Sequence, residues 1–139
     1  LGLLGGVVAA TLAAEHPEKV RRLVLSGVFV QMPKMAVRMQ KLALQAQPRN
    51  NLVAQGIDRG RTLAALDSLA GIDMRETLAA VQQPTLVLVG ANDRAGSIMA
   101  KQVVELMPDA RIEQVPGAGR RASIDAPEAF ADAVIAFTA

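Results

Sequence analysis

The chain has 139 residues, 51% of them hydrophobic, and a net charge of +2. That is enough for one domain with a modest core, and too little charge to require a polyanionic partner. With no Cys, Trp or Tyr and only three Phe, disulfides, thiolate catalysis and zinc–thiolate sites are excluded, and recognition of nucleic acid by aromatic stacking is poorly supplied.

In chain order, the opening run "LGLLGGVVAATLAA" is apolar for 14 residues. That is short for a membrane span and fits a buried helix, expected over Val7–Glu15 after Gly5 and Gly6. A signal-peptide core is the competing reading, but no positive segment precedes it. The chain does not begin with Met, so a start inside a longer gene is expected. Pro17 ends the helix by disfavouring helical backbone at His16. "RRLVLSG" predicts a short buried strand, Leu23–Ser26. From Gln31 to Val81 the pattern is helical: Met35, Met39, Leu42 and Ala46 share one face, and Leu63, Leu66 and Leu69 another. "PTLVLVGAND" predicts a strand buried on both faces, as in parallel sheets. The helix after it turns Met99, Val103, Leu106 and Met107 inward. "ARIEQV" alternates as a strand ending at Val115. The last helix starts near Asp125, with Glu128 completing a capping box, and buries Phe130, Ala133, Val134 and Phe137.

Strand and helix alternate, which implies crossover units and an α/β fold: a small parallel sheet of about three strands flanked by helices. In such sheets functional residues collect at the carboxyl ends of the strands. The places to inspect are therefore the chain start, Gly27, the Gly90–Asp93 loop and the Gly117–Arg121 loop.

Four segments at these places, in order, resemble the C-terminal half of an α/β-hydrolase. "LGLLGG" resembles the nucleophile elbow, G-x-S-x-G-G in that family. "LAAEHPEKVRRLVLSG" is similar to the helix and strand after the elbow, and "QQPTLVLVGANDR" to the strand and loop carrying the triad acid. "VPGAGRRASIDAPEAFADAVIAF" resembles the last strand, the histidine loop and the final helix. The resemblance implies one domain in three parts: residues 1–30 with the elbow helix and first strand, 31–82 as a helical lid-like insertion, and 83–139 with the last two strands and helices. It implies ester- or lactone-cleaving ancestry, a small apolar ester-like ligand, and neither cofactor nor metal.

Carried over residue by residue, the resemblance places the triad acid on Asp93, the nucleophile position on Leu3, the histidine on Arg120 and an oxyanion N–H on Leu4. Leu1 replaces the first elbow glycine. The front half of the family fold lies outside the match. Leucine has no nucleophilic atom, and arginine stays protonated at working pH and cannot serve as general base. His16 is the only histidine, and the resemblance puts it at the far end of the sheet. The expectation is a truncated, catalytically inactive member, a pseudoenzyme, serving as a binding or scaffolding remnant. The alternative is an active carboxylic-ester or lactone hydrolase whose site is rebuilt by oligomerisation or uses an unusual nucleophile.

Other residues invite weaker readings. Asp58, Asp67 and Asp73 lack metal-ligand spacing, and Asn92 with Asp93 supplies too few oxygens for a hard cation. Gly2, Gly5 and Gly6 before a helix are not a phosphate loop, since no G-x-x-x-x-G-K-[ST] is present. Ser26, Ser97 and Ser123 have no histidine to activate them. Lys34, Arg38 and Lys41 run beside the Met35–Met39–Leu42 stripe, so a basic amphipathic-helix binding module is a further alternative. A lid helix that covers an apolar pocket with its methionines is the preferred reading, and membrane binding is not expected. Three further expectations concern an ion pair, self-association and location. Arg120 or Arg121 should pair with Asp93. A homodimer or higher oligomer should form through the Leu1–Ala14 helix or the apolar Arg22–Ser26 strand edge. A reducing, cytoplasmic location fits the lack of cysteine.

Overall fold

The computed structural model describes residues 2–139, with side chains from Gly5 onward; the reading of Leu1 as a replaced elbow glycine lies outside the described residues. The elements, in chain order, are helix α1 (Gly2–Glu15), a 3-10 turn (Pro17–Lys19), strand β1 (Leu23–Ser26), helices α2 (Lys34–Ala46), α3 (Arg49–Ala54), α4 (Arg59–Leu69) and α5 (Arg75–Ala80), strand β2 (Thr85–Gly90), helix α6 (Arg94–Leu106), strand β3 (Ala110–Val115) and helices α7 (Ala122–Asp125) and α8 (Pro127–Thr138). The chain forms two compact units, one containing the sheet and the other spanning Gln31–Asp73.

The sheet unit holds three parallel strands in the order β1-β2-β3, with Leu23 beside Thr85 and Thr85 beside Ala110. All six residues of β2 are buried. That is why its sequence is a continuous apolar run: a central parallel strand covered on both faces has no position for a solvent-facing side chain. On one face Leu86 and Leu88 pack with Val115, Ala118, Ala122 and Ala133, and Phe130, Val134 and Phe137 of α8 close over them. Val87 and Val89 point the other way, toward α6, whose Ala100 and Val103 are buried. Fully burying one such side chain contributes about 1.5–3 kcal/mol.

α1 packs on β1 through Ala10 and Ala13, both fully buried; methyl side chains allow the close approach. The helix is longer than Val7–Glu15, because its glycines continue the helical backbone back to Gly2. It stops where expected, before Pro17. Gln83, just ahead of β2, donates its side-chain N–H to the Ala13 carbonyl at 2.9 Å, fixing the end of α1 to the amino end of the sheet. Arg22 donates to the carbonyls of Phe137 and Ala139 at 2.7 and 3.0 Å, which ties the last turn of α8 to the start of β1. Arg111 lies 5.4 Å from the centre of the Phe137 ring, a cation–π contact on the same helix.

The capping box expected at Asp125 does not form. Asp125 ends α7, and α8 begins at Pro127 with Ala126 before it and no side-chain cap. Ala126 rather than Asp125 holds the N-cap position of α8, so the Asp125 carboxylate is free for another donor.

In the Gln31–Asp73 unit, an antiparallel bridge between Gln31 and Asp73 closes the two ends, and Met32 N–H donates to Ile72 C=O at 3.2 Å. Val37, Leu52 and Leu69 are its buried residues. The methionine face of α2 is not the packed one: Met35, Met39 and Leu42 are 67%, 60% and 54% exposed. The packed face lies around Val37 and Lys41, one turn apart, with Lys41 ion-paired to Asp67 of α4. Among the described residues, no helix is long and apolar enough to cross a membrane.

Candidate functional site

Two loops meet at the carboxyl ends of β2 and β3, and backbone hydrogen bonds hold them together. Ala91 N–H donates to Val115 C=O at 3.0 Å, and Asn92 N–H to Ala118 C=O at 2.9 Å. Gly90 makes the approach feasible. A methyl group there would lie 2.5 Å from the Ala118 carbonyl oxygen and closer still to that of Gly119. Gly117 turns the second loop with φ of +72°, a region costly to other residues. Gly119 N–H then donates to Asp125 Oδ2 at 3.0 Å. The aspartate that does not cap α8 thus anchors the loop carrying Arg120. Spacing alone could not reveal this role, because the same residue satisfied a helix-start pattern.

Asp93 follows the first loop and caps α6. Its Oδ1 accepts the Gly96 N–H at 2.8 Å, and its carbonyl accepts both the N–H and the hydroxyl of Ser97, at 2.9 and 2.8 Å. The carboxylate thereby occupies the space in which a side chain at Gly96 would begin. The helix N-terminus attracts the negative charge, and short local geometry wins over a longer reach to a solvated guanidinium. The expected ion pair is therefore absent: neither Arg120 nor Arg121 lies within 4.0 Å of Asp93, and both arginines are exposed. The loops do bring the backbones of Asp93 and Arg120 to the same end of the sheet, each two residues or fewer from the Asn92–Ala118 hydrogen bond.

His16 sits at the opposite end. It follows α1 and precedes β1, and its Nδ1 is 3.4 Å from Glu18 with half of the side chain exposed. The length of β2, roughly 20 Å, separates it from the two loops. Ser26 ends β1, Ser97 is engaged with the Asp93 carbonyl, and Ser123 is exposed. Leu3 and Leu4 fall in the first turn of α1 by their backbone; their side chains lie outside the described residues, so the nucleophile and oxyanion assignments rest on the sequence. Asp58 caps α4 through the Arg61 N–H, and Asp67 pairs with Lys41. Among the described residues, no group of three His, Cys, Asp or Glu could hold a metal ion.

No family model matches the chain. A polyketide synthase, ThaQ of Burkholderia thailandensis, is 34% identical over 114 residues, covering 81% of this chain but 5% of that protein. The pimeloyl-[acyl-carrier protein] methyl ester esterase of Aromatoleum aromaticum is 29% identical over 90% of this chain and 67% of its own length. The crystal structure of a hydrolase from Pseudomonas aeruginosa superposes with a TM-score of 0.81 at 22% identity, over 98% of this chain and 62% of that one. The chain thus spans a small part of the synthase and about two thirds of the other two. The likeness in sequence to the esterase and in fold to the hydrolase leads to one conclusion: the chain is related to the α/β-hydrolase superfamily and has a three-stranded, helix-flanked part of that fold.

Proposed function

We propose that the chain keeps the scaffold of an ester hydrolase without Ser-His-Asp chemistry, and acts as a binding or scaffolding unit. The observation that carries the reading is Arg120, which stands in the loop tied to the acid loop by the Asn92–Ala118 hydrogen bond. A general base must release and take up a proton near neutral pH, and a guanidinium does not. In this reading Asp93 is the vestigial triad acid, now a helix cap, Leu3 occupies the nucleophile position and Leu4 that of an oxyanion N–H. Loss of nucleophile or base from such a triad costs on the order of a millionfold in turnover. The ester class is supported by likeness to the methyl ester esterase.

The test is Arg120→His. Restoring the imidazole supplies a base but no nucleophile, so hydrolysis of activated acyl esters should stay at the blank rate. Turnover in Arg120→His would refute the assignment of Leu3 to the nucleophile position. Turnover in the parent chain would refute the reading as a whole.

A further inference from the structure

Of the four serines in the chain, Ser123 alone follows a pair of arginines. The stretch Arg120-Arg121-Ala122-Ser123-Ile124 places guanidiniums three and two residues before a hydroxyl, and an apolar side chain one residue after it. A peptide groove lined with carboxylates reads such a spacing, because each guanidinium makes a two-pronged, charge-assisted contact. Basophilic serine/threonine kinases choose their substrates by charge patterns of this kind.

The fold presents these determinants to solvent. Arg120, Arg121 and Ser123 are exposed, and Ile124 is 66% exposed. Among the described residues, neither guanidinium has a carboxylate within 4.0 Å, and the Ser123 hydroxyl makes no hydrogen bond. From Arg120 to Asp125 only Ala122, with its single methyl, is buried. The segment is one helical turn, in which the N–H groups of Ile124 and Asp125 both donate to the Arg121 carbonyl at 2.9 Å. A turn this short has little helical cooperativity behind it and opens locally, without unfolding the sheet.

The other hydroxyls with arginines nearby are less accessible. Ser97 has Arg94 three residues before it, but it is partly buried and donates to the Asp93 carbonyl at 2.8 Å. Thr62 follows Arg59 and Arg61, but it is partly buried within α4, and Arg59 is engaged with the Gln47 carbonyl.

We infer that Ser123 is a phosphorylation site for a basophilic serine/threonine kinase. The Ser123 oxygen attacks the γ-phosphorus of ATP, and the new O–P bond forms as the bond to the β–γ bridging oxygen breaks. The hydroxyl proton passes to the catalytic base of the kinase, and ADP leaves. The phosphate brings roughly 1.5–2 negative charges, which offset the two guanidinium charges beside it. The inference is independent of the proposed loss of hydrolysis, since Ser123 holds no triad position.

The test incubates the folded 139-residue chain with MgATP and the catalytic subunit of cyclic-AMP-dependent protein kinase, beside a synthetic peptide of residues 117–127. Tandem mass spectrometry should place the phosphate on Ser123, and Ser123→Ala should remain unmodified. Arg120→Ala and Arg121→Ala, at exposed positions that folding tolerates, should each lower kcat/KM ~10-fold or more. A folded chain left unmodified while the peptide is phosphorylated would overturn the inference, because the turn is then closed to the enzyme. So would an unmodified peptide, phosphate on Ser97 or Thr62 in place of Ser123, or arginine variants with the kcat/KM of the parent chain.

Discussion

Replacing Gly90 with alanine should separate the two loops that form the candidate site. The added methyl would meet the carbonyl oxygens of Ala118 and Gly119, both of them backbone atoms, so no rotamer change relieves the contact. The loop must move by about an ångström, and the Asn92–Ala118 and Ala91–Val115 hydrogen bonds stretch with it. Overpacking of this kind costs ~1–3 kcal/mol, and each strained hydrogen bond adds ~0.5–1.5 kcal/mol. A total near 3 kcal/mol is expected. For 139 residues, unfolding entropy near ~0.3 kcal/mol/K converts this to a fall in Tm of about 10 °C. Urea denaturation followed by circular dichroism measures it, with Gly5→Ala as control, because a methyl at Gly5 has nothing within 4 Å. A Gly90→Ala protein within ~0.5 kcal/mol of the parent would refute the close-approach argument, since only surface changes are that mild.

Three further outcomes follow from the same contacts. Asp93→Ala should cost ~1 kcal/mol through loss of the α6 cap, whereas Asp93→Asn should cost a few tenths, because asparagine caps as well as aspartate; equal losses would show that the carboxylate stabilises by charge rather than by capping. Leu88→Ala, in the two-sided core of β2, should cost ~2–5 kcal/mol in the same denaturation experiment. Val8 and Leu12 lie one turn apart on α1 and are 61% and 42% exposed, so light scattering at micromolar concentration should return a dimer or larger, and a monomeric mass would remove the self-association proposal.

The strands were legible because their sequence signals are local and strong. Leu23–Ser26, the run before Gly90 and the stretch ending at Val115 form where hydrophobic pattern and flanking Gly or Pro place them. The crossover topology followed from the alternation of strand and helix. Side-chain partners were less legible, because one residue type satisfies several local patterns and tertiary geometry selects among them. Asp125 fits a helix start by spacing, yet it binds Gly119. Asp93 and Arg120 have opposite charges at one sheet end, yet the nearer helix terminus takes the carboxylate. The stripe of Met35, Met39 and Leu42 has the period of a buried face, and periodicity cannot say which of two adjacent faces of a helix is covered.

The central claim is that an arginine in the loop after β3 leaves this hydrolase scaffold without a general base. It is tested most directly by the steady-state rate of p-nitrophenyl ester hydrolysis by the purified 139-residue chain, measured beside a matched blank and beside Asp93→Ala. The account predicts the blank rate from both proteins. Turnover by the parent chain that disappears in Asp93→Ala would contradict it, because it would make Asp93 part of a working site rather than a helix cap.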